Sequence, residues 1–231
     1  MSRVRIHKLD ANFRLEIGTP WQASPAIDGQ VTEFWRVEQE SRGYRLSDGR
    51  IFHLSEYTQD YLRIQPAEYR YSLARQRVPH LVDLGLDIRP LAVTGILLCG
   101  DGIVLGRRGE GVATDAGLWE PSPAGGLSQP DPKMQVLEEL EEELGLSASQ
   151  LEAPEACGLV EDQVSGVFDI IFRLRTSTSF QEVQRAQSKL RTNEYSELTA
   201  VRPPEIEAFL EANANQVLPA LRPMLQLAGF L

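Results

Sequence analysis

The chain has 231 residues, 42% of them hydrophobic and 24% charged, with a formal net charge of −10. That is the composition of a globular protein holding one large or two small domains, and no apolar run is long enough for a membrane span. The acidic balance argues against a nucleic-acid partner, which calls for a basic face; a small phosphorylated ligand stays open, because a bound divalent cation reverses the local sign.

In chain order, residues 4–6 and 13–17 are predicted as short strands, as are residues 32–38 (TEFWRVE) and 43–46. Asp48-Gly49 is a turn signal before a further strand at 50–54. Residues 66–84 are helix-like, with Pro79 interrupting the helix or marking its end. Trp21, Trp35, Tyr57, Tyr61, Tyr69 and Tyr71 are expected to be packing aromatics. Residues 1–89 thus make an accessory β-rich N-terminal region with a linking helix, and Arg89-Pro90 marks the boundary. The opening MSRVRIHKLDANF lacks the apolar run of a secretory signal, so a cytoplasmic location is expected. Cys99 and Cys157 are expected to be reduced core thiols. His7, His53 and His80 have no metal-ligand spacing and are expected to pack or face solvent.

The second region, 90–231, opens with a hairpin: strand 91–99, turn 100–102, strand 103–106. Arg107 and Arg108 follow. Two adjacent arginines after a strand either hold substrate phosphates by charge-assisted hydrogen bonds or stand as solvated edge charges. The breaker-rich stretch PSPAGGLSQPDP must be loop. Asp131 as N-cap, Pro132 in the first turn and Gly145 past the end bound a helix over 132–144. It carries Glu138, Glu139, Glu141, Glu142 and Glu143. At about 100° per residue, Glu139, Glu142 and Glu143 fall within an arc of roughly 100°, apart from the apolar residues Val136, Leu137, Leu140 and Leu144. Like charges at i, i+4 cost an isolated helix about 0.2–0.5 kcal/mol per pair. The run is either a solvated acidic face or a site neutralised by an oxygen-preferring divalent metal. The nearby Gly125-Gly126 favours the metal, since glycines let backbone approach an ion or phosphate closely. Strands at 157–160 and 168–174, joined through Glu161-Asp162-Gln163, and helices near 181–190, 205–213 and 217–230 complete the reading. Strands interleaved with helices give an α/β class, an α/β/α sandwich around a mixed sheet.

The glutamate run resembles the signature of the Nudix hydrolases, G-x5-E-x7-R-E-U-x-E-E-x-G-U, with U a bulky apolar residue. Glu139-Leu140-Glu141-Glu142-Glu143-Leu144-Gly145-Leu146 stands where that family has E-U-x-E-E-x-G-U. Residues 92–108 resemble the first core hairpin of that family. Gly117-Leu118-Trp119-Glu120, with Ala124-Gly125-Gly126, resembles the strand and loop entering the box, and the segment Asn193–Leu198 resembles the one before the C-terminal helix. The similarity covers roughly residues 90–231 and implies the Nudix-type sandwich. Departures are plain: Glu138 replaces the arginine before the first box glutamate, the stretch from Gly126 to Glu139 is two residues short, and its early glutamate is absent. Asp131 is the only acidic residue in that gap, either a stand-in for the missing glutamate or the helix cap.

The resemblance implies metal-assisted hydrolysis. Mg²⁺ or Mn²⁺ would be held by Glu139, Glu142 and Glu143 with the Gly126 carbonyl, and Glu142, Glu143 and Glu194 would be catalytic. Arg107, Arg108, Glu120 and Gly125 would contact substrate. A loop carboxylate serving as base would be Glu194, Glu161 or Glu120, with Glu194 ahead because NEYSEL looks like the substrate-facing segment. The expected ligand is a small nucleoside diphosphate derivative, with neither nucleic acid nor membrane as partner and a homodimer compatible. Two alternatives stand beside this: a non-catalytic Nudix-fold module binding a nucleotide or protein, and a Nudix-fold isomerase. The isomerase is suggested by WEPSPAGG, but Gly126 stands where its loop needs a histidine.

Overall fold

The computed structural model describes residues 3–41, 46–112, 114–191 and 194–231. Its strands form two sheets. The large one contains β1 (Val4–His7), β5 (Leu91–Cys99), β6 (Gly102–Arg108), β7 (Trp119–Pro121), β8 (Ala124–Gly126), β9 (Glu155–Asp162), β10 (Phe168–Arg175) and β11 (Tyr195–Val201). The order is β1-β9-β10-β5-β6-β11, with β7 on β6 and β8 on β5. Only β10 and β5 run parallel; the other pairs are antiparallel, so the sheet is mixed. The small sheet is β2 (Arg14–Ile17), β4 (Tyr61–Glu68) and β3 (Arg50–Tyr57), in that order.

Two faces of the large sheet are covered differently. One carries Leu91, Val93, Leu97, Phe168, Ile170 and Phe172 against α4 (Pro132–Leu144), α5 (Phe180–Gln187) and the inner residues Phe52, Leu54, Leu62 and Ile64 of the small sheet. The other carries Ile96, Ile103, Leu105, Val160 and Ile171 against α6 (Ile206–Ala212) and α7 (Leu221–Leu227). This is the expected α/β/α arrangement. A third cluster joins α1 (Pro25–Ser41), α2 (Tyr69–Arg77) and α3 (His80–Asp83). The boundary placed at 89/90 is crossed twice: β1 pairs with β9, and the small sheet shares one core with β5 and β10.

Several expectations need correction. Residues 32–38 are not a strand but the middle of α1: Ile27, Val31 and Phe34, at i, i+4 and i+7, give one face buried in the N-terminal cluster. Of the strand expected at 43–46, residues 43–45 lie outside the described residues and Leu46 belongs to no strand. Residues 66–68 end β4 rather than start a helix. Pro66 is tolerated there because β2 pairs only with residues 61–64, so the prolyl nitrogen has no ladder partner to lose. The helix starts at Tyr69, whose N–H donates to the Gly49 carbonyl at 3.0 Å, while the Asp48 carboxylate takes the Arg70 N–H at 2.8 Å. Asp48-Gly49 therefore satisfies the first amides of α2.

The feature that makes the site is a split in the large sheet. β5 and β6 pair only next to their turn, at Leu98–Ile103 and Cys99–Gly102. Beyond it β8 pairs with β5 and β7 with β6. A cleft opens at this divergence, and α4 lies against its β8 wall.

Candidate active site

α4 spans the predicted residues. Asp131 caps it through Oδ1, accepting from the Lys133 and Met134 amides at 3.0 and 3.2 Å, and Gly145 closes it in the left-handed region at φ 69°. Val136, Leu140 and Leu144 are fully buried against β5 and its neighbours. This fixes the helix rotation and turns Glu139 and Glu143, one turn apart, toward β8.

The Glu139 carboxylate lies where a side chain on Gly125 would be, so any larger residue there would displace the carboxylate. Gln135, one turn earlier, donates to Glu139 Oε1 at 2.8 Å and is itself pinned through its own carbonyl oxygen by the Ser128 amide and hydroxyl, both at 3.0 Å. Burial pushes the Glu139 carboxyl up to about 7; the Gln135 bond opposes this, while Glu142, Glu194 and Glu138 add to it. Glu143 is 6% exposed. Its Oε2 accepts from the Ala124 amide at 3.1 Å and the Tyr195 hydroxyl at 2.8 Å. Burial drives it up to about 9 even against the Tyr195 bond, with Glu139 pushing the same way. Tyr195 is set by the β11–β6 pairing, and its ring covers Gly106, where no side chain would fit.

The opposite wall is an ion pair. Arg108 and Glu120 meet at 2.5 Å with side chains 15% and 5% exposed, and Glu194 stands 3.7 Å from the same guanidinium. Arg108 also donates to the Thr114 carbonyl at 3.1 Å. Burial pushes Glu120 up to about 7 despite this partner. The cleft between the walls has a volume of about 910 Å³, within the range of small-ligand sites. Asp169 reaches it from β10, accepting from the Thr94 hydroxyl at 3.1 Å.

Of the residues named from sequence, Arg108, Glu120, Gly125, Gly126, Glu139, Glu143 and Glu194 line this cleft. Two do not. Glu142 is exposed and outside it: 100° separates it from Glu143, more than the face that β8 covers. Arg107 points to the other side of β6, to the Gly117 carbonyl at 3.1 Å and Gln216 at 3.2 Å, as strand alternation requires. Asp131 is the cap. Glu161 is engaged with His7 at 2.9 Å. His53 is buried, its Nδ1 accepting the Arg89 amide at 2.9 Å, and both cysteines are free thiols. Tyr195, Gln135, Thr94 and Asp169 went unnoticed in sequence. Only Gln135 left a signal there, as the i−4 neighbour of Glu139.

Among the described residues, no three His, Cys, Asp or Glu side chains are gathered closely enough to hold an ion. The donor chemistry nevertheless suits a hard divalent cation. Glu139 and Glu143 are carboxylates facing one cleft whose hydrogen-bond donors among the described residues are all neutral, and Glu139 raises the cost of ionising Glu143.

No family model matches the chain, and a search of curated proteins finds no match. Solved Nudix and MutT proteins are among the structures it resembles. A MutT protein from Methanosarcina mazei Go1 is 22% identical, covering 61% of this chain and 91% of its own, with a TM-score of 0.45. DR0079 from Deinococcus radiodurans is 16% identical over 71% of this chain and 89% of its own, at 0.46. The Nudix domain of Shewanella oneidensis NrtR, solved with ADP ribose, is 14% identical over 61% and 86%, at 0.42.

Proposed function

We propose that this chain is a Nudix-type pyrophosphohydrolase that uses Mg²⁺ or Mn²⁺ to cleave a nucleoside diphosphate linked to another moiety, of the nucleotide-sugar or ADP-ribose type. The observation that carries the proposal is the seating of Glu139 on Gly125 beside Glu143, two carboxylates lining one cleft with no cationic partner among the described residues. Glu139, Glu143 and the Gly126 carbonyl would hold the cation. When bound, it neutralises charge on the phosphate oxygens and lowers the pKa of a water.

Everything else is done by this chain's groups. Tyr195 and the Ala124 amide hold Oε2 of Glu143, leaving Oε1 to turn to the cleft. Gln135 holds Glu139 in the same way. Arg108 is neutralised by Glu120 and Glu194, so it orients substrate oxygens rather than acting as a bare positive charge. Glu194 is the base: it takes a proton from the attacking water, whose oxygen bonds to one phosphorus as the bridging P–O bond breaks. Two phosphomonoesters result. Glu142 has no part in this scheme.

The protein incubated with ADP-ribose, nucleotide sugars and nucleoside triphosphates plus Mn²⁺ is expected to release phosphomonoesters from at least one diphosphate conjugate. Product no greater than that of a Glu139→Gln/Glu143→Gln control would overturn the proposal. The binding-module reading is favoured by Glu138 in place of the box arginine and by the stretch two residues short before Glu139; ligand binding without turnover would support it. The isomerase reading gains nothing from the cleft, whose lining among the described residues includes no histidine or cysteine.

A further inference from the structure

The cleft extends beyond the carboxylates to an end built by the N-terminal region. Tyr69, Ser72 and Gln76 of α2 line it, spaced i, i+3 and i+7 along one stripe. Tyr71 and Ala74, on another stripe, pack with Ile27 and Val31 of α1. Arg75 ties the helix to the loop after β9, donating to the Ser165 carbonyl at 3.0 Å. The stripe is thereby fixed above the start of β10, where Asp169 stands.

We propose that this end of the cleft is a subsite for the hydroxyl-bearing, glycosyl part of the ligand, bound between Ser72 and Gln76 of α2 and the Thr94–Asp169 pair. The proposal deepens the pyrophosphohydrolase reading and rests on it for the diphosphate that joins the two ends. Three observations lead there.

First, the groups are of the right kind. The end presents hydroxyls, an amide and a carboxylate, which exchange hydrogen bonds with a polyol, and the Asp169 carboxylate repels a phosphate; Arg77 of α2 also lines it. The nearby guanidinium of Arg3 is already paired with Asp162 at 2.8 Å.

Second, Asp169 is a carboxylate in need of donors. Its Oδ1 takes the Thr94 hydroxyl, and no cation pairs with it among the described residues. Burial pushes its carboxyl up to about 6. A vicinal diol supplies two O–H donors to one carboxylate, as in the acidic residue that binds a ribose in dinucleotide sites.

Third, the spacing suits a two-ended ligand. Asp169 is in register with Ala92 of β5, and Ala92 with Gly126 of β8. Two strand spacings, roughly 10 Å, therefore separate the Asp169 backbone from the diglycine where Glu139 is seated. A diphosphate at the carboxylates would leave its glycosyl group over α2.

Calorimetric titration in EDTA separates binding from turnover. Two pairs of probes serve: ADP-ribose with ADP, and UDP-glucose with UDP. The native protein is expected to bind the glycosylated member of at least one pair roughly tenfold tighter than its partner. Asp169→Asn keeps the acceptor for Thr94 and is expected to erase that preference while leaving ADP or UDP affinity unchanged. Gln76→Ala, on the helix surface, is expected to lower it too. Absence of a preference in both pairs overturns the subsite, as does a preference that survives both substitutions. A glycosyl preference in a protein that hydrolyses nothing with Mn²⁺ upholds the subsite and sinks the hydrolase. Hydrolysis without the preference does the reverse.

Discussion

The two walls of the cleft bury acid groups in opposite ways. On one, Glu120 meets Arg108 at 2.5 Å, so a buried negative charge has its positive partner within the protein. On the other, the partners of Glu139 and Glu143 among the described residues are a glutamine, a tyrosine and a backbone amide. Neutral donors fix the direction of a carboxylate without cancelling its charge, whereas an ion pair does both. The first wall is complete as it stands. The second is completed by a cation or, lacking one, by protons.

Breaking the complete wall has the largest expected effect. Arg108→Met leaves Glu120 buried without a counter-charge and is expected to cost about 3–5 kcal/mol in urea unfolding. Glu143→Gln on the other wall is expected to cost far less at pH 7 in EDTA, because the native carboxyl is already protonated there. Equal losses would erase the contrast between the walls.

The second effect is catalytic. Glu139→Gln keeps the bond from Gln135 in shape but loses the charge, and kcat/KM with Mn²⁺ is expected to fall by about a hundredfold or more, as when one preorganised electrostatic group is removed. Stability is expected to rise slightly in the same variant.

The third is a pH dependence of sign opposite to ordinary acid denaturation. Glu143, at about 9 in the fold against 4.5 ordinarily, keeps a proton that the unfolded chain has released. The folded state binds more protons between those values, so stability falls as pH rises from about 4.5 to about 9. Glu139 adds to this up to about 7. Melting temperature in EDTA is expected to drop across that range, and Mn²⁺ to raise it most at the alkaline end by binding the ionised carboxylates. A Glu143→Gln protein is expected to show a shallower drop and little response to Mn²⁺. A native profile that is flat from pH 5 to 9 would contradict the assignment.

The incomplete wall was far more legible in the sequence than the complete one, and the reason is range. α4 is specified locally by Asp131, Pro132, Gly145 and a stripe at helical spacing, all inside fifteen or so residues. Arg108 and Glu120 are brought together by β6–β7 pairing, and Tyr195 reaches Glu143 only because β11 lies on β6. No periodicity marks such contacts. An arc of 100° looks narrow on a helix and groups Glu142 with Glu139 and Glu143, yet it spans the difference between the β8-facing side and solvent, where Glu142 lies. Residues 32–38 misled differently: their Thr, Phe, Trp and Val favour strands, and the stripe from Ile27 that decides for helix begins before them. Tyr195→Phe tests the most hidden of these contacts. It removes one of two donors to Glu143 Oε2 and is expected to weaken Mn²⁺ binding about tenfold, with a smaller change in melting temperature.

The smallest effect concerns Asp131, for which the sequence offers two roles. Asp131 stands in the gap where a Nudix box would have its early glutamate, but its Oδ1 is occupied by the Lys133 and Met134 amides and it does not line the cleft. Asp131→Ala is therefore expected to cost about 1 kcal/mol of unfolding free energy, the usual loss of an N-cap. Because α4 also carries Glu139 and Glu143, fraying of its first turn would reach Gln135 before it reached either carboxylate. Mn²⁺ affinity and kcat are expected to stay within about twofold of native, and Asp131→Asn, which caps equally well, is expected to restore stability. A large loss of Mn²⁺ binding in the asparagine variant would instead put Asp131 among the ligands, making the acidic wall longer than its geometry indicates.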